Sequence, residues 1–108
     1  MKQGLHIDKN GIKRWYKDDE LHRTDGPAVE YPDGNRQWYQ RGQRHREGGP
    51  AVETPDGRKY WYHNGERHRE DGPAVEYTDG IKFWFLYGIP YTEAQWRYKI
   101  IKRTMEIF

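Results

Sequence analysis

A mainly β fold is predicted for this chain, a single-layer antiparallel meander of four 23-residue modules closed by a C-terminal helix, and three observations predict it. Trp15, Trp38, Trp61 and Trp84 recur every 23 residues, each followed by a second ring at Tyr16, Tyr39, Tyr62 or Phe85. The run Gly-Pro-Ala-Val-Glu returns in full at 26–30, 49–53 and 72–76. Turn signals cut every copy into short segments. A period of this length denotes tandem units that bury their surfaces against their neighbours.

In the first copy Leu5-His6-Ile7 stands where the others have Gly-Pro-Ala-Val-Glu, and Asp18-Asp19 replaces the glycine-bearing turn. Terminal units are usually degenerate in this way, because they cap the array. In the second copy Tyr31-Pro32-Asp33-Gly34 describes a three-residue hairpin loop. Proline presets the first turn dihedral, Asp suits the next position, and Gly supplies the left-handed residue of a type I turn with a bulge. Pro55-Asp56-Gly57, Thr78-Asp79-Gly80 and, more loosely, Lys9-Asn10-Gly11 repeat it. Asn64-Gly65 makes a tighter second turn, with Gly42 and Gly88 at equivalent places.

A three-residue loop opposes Glu30 to Arg36, Glu53 to Lys59 and Glu76 to Lys82, so opposite charges meet in every complete copy. A two-residue loop would oppose Glu30 to Gln37 and gain nothing. The first register also sets each tryptophan over a neighbouring alanine, with Val29 and Tyr39 on the other side of the sheet. Trp15, Trp38, Trp61 and Trp84 are therefore expected to be structural and mostly buried. The residue before each of them drifts from Arg14 through Gln37 and Tyr60 to Phe83, so that face grows apolar toward the C-terminus.

A helix is expected to cover it. Thr92 is a helix N-cap with Gln95 as its capping-box partner, and Tyr91 and Trp96 are spaced as a hydrophobic staple. The array should occupy 1–91 and the capping helix 92–108. Ala94, Trp96, Tyr98, Ile100, Ile101 and Met105 are expected to pack on Phe83, Phe85 and Tyr87.

Composition narrows function mostly by exclusion. Nineteen basic and seventeen acidic residues leave a net charge of +2, too little for unfocused binding to a polyanion. Leu, Ile, Val and Phe make up about 15% of the chain, and aromatics at 16% stand in for the missing aliphatic core. There is no Cys and no Ser, which removes disulfides, thiolate chemistry and serine nucleophiles. No apolar leader and no run of about 18 apolar residues is present, so a cytoplasmic protein without a membrane span is expected.

The stretch Trp61-Tyr62-His63-Asn64-Gly65-Glu66-Arg67-His68, followed by Pro73-Ala74-Val75-Glu76-Tyr77-Thr78-Asp79-Gly80, resembles a MORN (membrane occupation and recognition nexus) repeat. The His-Arg-x-Asp-Gly-Pro-Ala-Val-Glu module is similar to the MORN-like arrays of bacteriophage and bacterial proteins, over about residues 5–91. This chain has His68-Arg69-Glu70-Asp71-Gly72-Pro73 where the MORN pattern has His-Gly-x-Gly. The resemblance implies an elongated meander used for protein association, with lipid binding claimed for some members and no catalytic residues.

Three chemistries remain to be weighed. His22, His45 and His68 would lie roughly 10 Å apart on a ladder with two strands per module, too far to share one zinc ion, and turn closure by hydrogen bonding competes with that reading. Arg46 and Arg69, with His45, His68 and exposed rings, offer a ladder for a nucleotide, nucleic acid or lipid headgroup. Glu47, Glu70 and Asp71 adjoin those arginines and favour salt bridging instead. Arg97, Lys99, Lys102 and Arg103 form one uninterrupted basic cluster.

The leading expectation is a non-enzymatic, cofactor-free protein-binding module, phage-encoded, that binds and inhibits a host protein in the host cytoplasm. The alternative is nucleotide, nucleic-acid or lipid-headgroup binding. The candidate binding face is Arg46, Arg69, His45, His68, Tyr60, Phe83, Tyr62, Arg97 and Lys99. An open meander also leaves strand edges unpaired, and the short strand Leu5-His6-Ile7 shields little of the N-terminal one, so either a homodimer through an edge or apolar face or a partner that occupies that edge is expected.

Overall fold

The computed structural model describes residues 1–106 and places fourteen short strands ahead of a single helix. The first module contains β1 (Gly4–Ile7), β2 (Lys13–Lys17) and β3 (Glu20–Leu21). The second contains β4 (Val29–Glu30), β5 (Arg36–Gln37), β6 (Tyr39–Gln40) and β7 (Gln43–Arg44). The third contains β8 (Val52–Glu53), β9 (Lys59–Tyr60), β10 (Tyr62–His63) and β11 (Glu66–Arg67). The fourth contains β12 (Val75–Glu76), β13 (Lys82–Leu86) and β14 (Ile89–Tyr91), and α1 (Glu93–Glu106) follows. Residues 107 and 108, the end of the expected capping helix, lie outside the described residues.

One open antiparallel sheet runs β1-β2-β4-β5-β8-β9-β12-β13-β14, with β3 paired beside β2. The molecule is accordingly long and thin, 49 × 33 × 19 Å. Register follows the three-residue loop: Glu30 faces Arg36, Glu53 faces Lys59, and Glu76 faces Lys82. Across the sheet this becomes an alternating charge row, Lys13, Glu30, Arg36, Glu53, Lys59, Glu76 and Lys82. The loops are alike in all four copies. Gly11, Gly34, Gly57 and Gly80, all at positive φ, donate their N–H to the carbonyl three residues earlier.

The second hairpin, β6-β7 or β10-β11, peels away from the long sheet. Tryptophan is where the strand divides. The Trp38 N–H donates forward to the Ala51 carbonyl at 2.7 Å, while its own carbonyl accepts from the His45 N–H at 3.1 Å. Trp15 and Trp61 make the same two bonds. Both central residues of each tight turn are at positive φ, as a type I′ turn requires. Asn64 and Gly65 satisfy this as expected, and so do Asp18-Asp19, Arg41-Gly42 and Tyr87-Gly88, in which Asp18, Asp19, Arg41 and Tyr87 take the left-handed conformation without being glycine.

The core is thin. Ala28, Ala51 and Ala74 are 0% exposed, and Val29, Val52 and Val75 are also buried. Of the repeated tryptophans only Trp38 is buried; Trp15, Trp61 and Trp84 are half-buried. The expectation of mostly buried rings is corrected to that extent. A single layer has no second sheet to cover them, so each ring keeps one face for a local partner.

The helix needs a larger correction. Its capping box forms as expected: Thr92 Oγ1 accepts from the Gln95 N–H at 3.2 Å, and Gln95 Oε1 accepts from the Thr92 N–H at 3.0 Å. Trp96 is buried, its ring 4.7 Å from that of Trp84, and its Nε1–H donates to the Arg69 carbonyl at 3.0 Å. Ile100 is half-buried, but Ala94, Tyr98, Ile101 and Met105 face solvent. Phe83 remains 45% exposed. A straight helix over the end of a thin sheet presents one narrow stripe to it, and Trp96 with Ile100 fills that stripe. At the opposite end every residue of β1 is exposed.

Arg103 reaches from α1 to Glu70 Oε1 at 3.0 Å, an oxygen that His68 Nε2 also approaches at 3.1 Å. Burial pushes the Glu70 carboxyl upward, yet the Arg103 and His68 hydrogen bonds outweigh it and hold the group below its ordinary value of 4.5. Because the folded value is depressed, this contribution is complete above the unfolded value and fades as pH falls through the folded one. Thermal melts between pH 6 and 3 should therefore show a loss of stability on acidification that is smaller in Glu70→Gln. Superimposable profiles for the two proteins would exclude the effect.

Candidate functional site

The expected candidate residues separate into three places. Arg46 and Arg69, with His45 and His68, form an internal ladder. Tyr60 and Phe83 lie in the cross-strand row of the long sheet, with Tyr62 on the adjoining β10-β11 hairpin, and Arg97 and Lys99 lie on α1.

The ladder answers the chemistry of its own modules. The guanidinium groups of Arg23, Arg46 and Arg69 stack on Trp15, Trp38 and Trp61 at 3.9, 3.8 and 3.8 Å from ring to carbon. Behind each guanidinium lies the glycine of Gly-Pro. A Cβ on Gly26, Gly49 or Gly72 would come within 2.9, 3.0 or 2.7 Å of the arginine carbon, so the plane is held between an indole and a bare backbone. Nη1 donates to the carbonyl of Pro27, Pro50 or Pro73 at 3.0–3.1 Å. The same nitrogen meets Glu30, Glu53 or Glu76 at 3.8, 3.1 or 3.1 Å. Those glutamates thus turn to the ladder arginines, and within the cross-strand row Arg36 forms a short pair with Glu53 of the next strand at 2.6 Å. In the fourth module Thr92 replaces the arginine, and Trp96 takes its place against Trp84.

The histidines close turns between modules. Nδ1 of His22, His45 and His68 accepts the N–H of Arg41, Asn64 and Tyr87, the first central residue of the next module's tight turn, at 3.0, 3.0 and 2.9 Å. The following glycines, Gly42, Gly65 and Gly88, donate to the carbonyls of Leu21, Arg44 and Arg67. Each hairpin is thereby pinned to the one before it.

A cluster not foreseen from sequence brings ligand atoms of His45, Glu47 and His63 within 4.8 Å of one another. Spacing arguments compared only equivalent histidines, whereas His63 belongs to the neighbouring hairpin, its ring 4.6 Å from that of His45. Tautomer chemistry weighs against a metal here. With Nδ1 accepting a backbone N–H, neutral His45 carries its proton on Nε2, where it donates to Glu47 at 2.7 Å. A metal on Nε2 would require a proton on Nδ1, which would then face another donor.

On the flat side the cross-strand row reads Arg14, Val29, Gln37, Val52, Tyr60, Val75 and Phe83. Tyr77 bridges Tyr60 and Phe83 edge to face at 6.2 and 5.7 Å. Burial, and then the Tyr77 hydroxyl, push the Tyr60 phenol up. Arg44 lies beside Tyr39 and Tyr62, and Arg67 beside Tyr60 and Phe85.

Comparison with protein-family models, curated proteins and solved structures gives no match. The site is therefore read from its own geometry. No helix among the described residues is long and apolar enough to cross a membrane. Around α1, Tyr87, Ile89, Tyr98, Ile101 and Met105 are all exposed, five of the large apolar side chains that the described residues leave in water. Sequence reasoning assigned most of these side chains to packing. Arg97 at the helix start pairs with Glu93 at 3.0 Å, and Lys99 sits 5.8 Å from the Tyr91 ring.

Proposed function

We infer that the chain is a non-enzymatic protein-binding module that works through its C-terminal end. The observation that carries this reading is the exposure of Ile89, Tyr98, Ile101 and Met105 around a helix whose inner stripe is already filled. Contiguous apolar surface of this kind marks interaction sites, because leaving it in water costs free energy that a partner recovers. Inhibition of a host protein by a phage protein is the specific form that the resemblance to MORN-like arrays favours. Capture from bacterial lysate should retain a protein with the native chain and lose it with Ile101→Asp. Identical captures by the two chains would refute the reading.

One observation favours a second reading on the flat side. Arg44 Nε is buried without a hydrogen-bond partner, and its guanidinium lies between the Tyr39 and Tyr62 rings. Rings and cations in such a row suit a nucleotide or single-stranded nucleic acid. Oligonucleotide binding that weakens with salt and with Arg44→Gln would support it over the first.

A further inference from the structure

Two of the three ladder arginines have a carboxylate on Nε. Arg23 Nε donates to Asp25 at 3.0 Å and Arg69 Nε to Asp71 at 2.8 Å. Each aspartate stands two residues after its arginine, and Gly48 stands there after Arg46. The Arg46 hydrogen bonds run from Nη1, to the Pro50 carbonyl and to Glu53, and its Nε has no partner among the described residues. Gly48 has φ +77°, and a Cβ on it would meet nothing within 4 Å, so the loop is open at the point where the other modules carry their acid. The glutamate of the module does not use up the capacity of the arginine. Arg69 pairs with Glu76 at the same 3.1 Å as Arg46 with Glu53, and still takes Asp71 on Nε. Glu53 is moreover shared with Arg36 at 2.6 Å. Arg46 and Gly48 border a hollow of about 380 Å³ whose walls include Trp61, Tyr62 and Tyr87. Three acids also border it, each held by a partner of its own: Glu47 by His45 at 2.7 Å, Glu70 by Arg103 at 3.0 Å, and Asp71 by Arg69. The equivalent groove beside Arg23 contains Asp25 itself.

We propose that Arg46 anchors a carboxylate-binding site, in which an acid from outside the chain takes the place that Asp25 and Asp71 hold in their own modules. The guanidinium is already fixed, 3.8 Å from the Trp38 ring on one side and against Gly49 on the other, so little side-chain freedom is lost when a ligand docks. An N–H of a guanidinium donating to a carboxylate is charge-assisted, and stronger than a bond between neutral groups. The site lies in the ladder and does not rest on the apolar surface around α1.

The test follows the arginine Nε–H resonances of the isotope-labelled full chain while acetate replaces chloride at constant ionic strength. Arg46 should shift and saturate, with an affinity on the order of tenfold above that of exposed Arg41, while Arg23 and Arg69 stay still. In Asp25→Gly, a change at an exposed side chain, Arg23 should acquire the same response. An Arg46 signal that moves no more than Arg41, a native Arg23 or Arg69 that moves with it, or an Arg23 that stays silent in Asp25→Gly would each overturn the proposal. A response at Arg46 that appears only in Glu47→Gln would also overturn it, giving Nε to Glu47. Tighter binding of inorganic phosphate would overturn the choice of a carboxylate. A blocked aspartate that binds more tightly than acetate assigns the acid to a polypeptide side chain, and equal affinities assign it to free organic acids. Ile101→Asp should leave the Arg46 response intact, so failure of lysate capture and failure at Arg46 bear on the two readings separately.

Discussion

Trp61→Ala should lower the stability of the chain by about 3–5 kcal/mol, the range of large aromatic truncations in protein interiors. Half-burial alone would suggest less. The indole, however, carries the Arg69 guanidinium at 3.8 Å and lies at the point where the strand divides between two hairpins. Removing the ring also uncouples Arg69 from the surface that orients it toward the Pro73 carbonyl and Glu76. A double-mutant cycle with Arg69→Met, read from urea melts, should give a coupling of about 1 kcal/mol or more, within the range for a partly desolvated cation on an indole. Strict additivity would show that ring and guanidinium are merely adjacent.

Gly72→Ala is the second large effect, expected at about 1–3 kcal/mol, as for other overpacked sites. Gly72 is not among the glycines held at positive φ, so the loss does not arise from backbone conformation. It arises because the new methyl group would lie 2.7 Å from the Arg69 guanidinium carbon and lift it from the indole. The penalty should therefore shrink in an Arg69→Ala background, where nothing occupies the space. Gly80→Ala is a useful comparison, because its Cβ would meet nothing while its φ is +90°. Its cost should stay the same with or without Arg69. Denaturant midpoints of the native chain, Arg69→Ala, the two glycine variants and the two double variants decide between steric and conformational origins.

Both expectations explain why the module reads His-Arg-x-Asp-Gly-Pro-Ala. Arginine stacks, glycine makes room for it, proline offers its carbonyl, and alanine admits the tryptophan of the next strand. Aspartate at the fourth position holds Nε of Arg23 and Arg69, at 3.0 and 2.8 Å. The second module carries Gly48 at this position and does without that bond. Residues that recur in step with the period are thus spent on joining modules. The proposed binding surface stands where the repeat gives way to the helix, from Ile89 of the last hairpin into α1. The first module lapses too. Leu5 faces Trp15 where complete copies have alanine, and Ile7 faces Lys13 where they have glutamate. Both substitutions break the alanine and glutamate rows that the complete copies continue.

Periodicity and turn chemistry in the sequence alone determined the meander, its three-residue loops, its register and the capping box of α1. These are short-range or strictly repeated features, in which each local choice repeats the same answer. Only the tertiary structure decided how side chains were shared between modules. Glu53 faces Lys59 in register yet pairs with Arg36 and Arg46, because those guanidinium groups are brought within reach by a neighbouring strand and a neighbouring loop. His45 meets His63 and the Asn64 N–H because the next hairpin folds back onto it. The exposed side of α1 was decided there as well: an apolar stripe in sequence announces that a helix will bury something, but the area available on the partner sets how much, and a sheet one layer thick had room for Trp96 and part of Ile100.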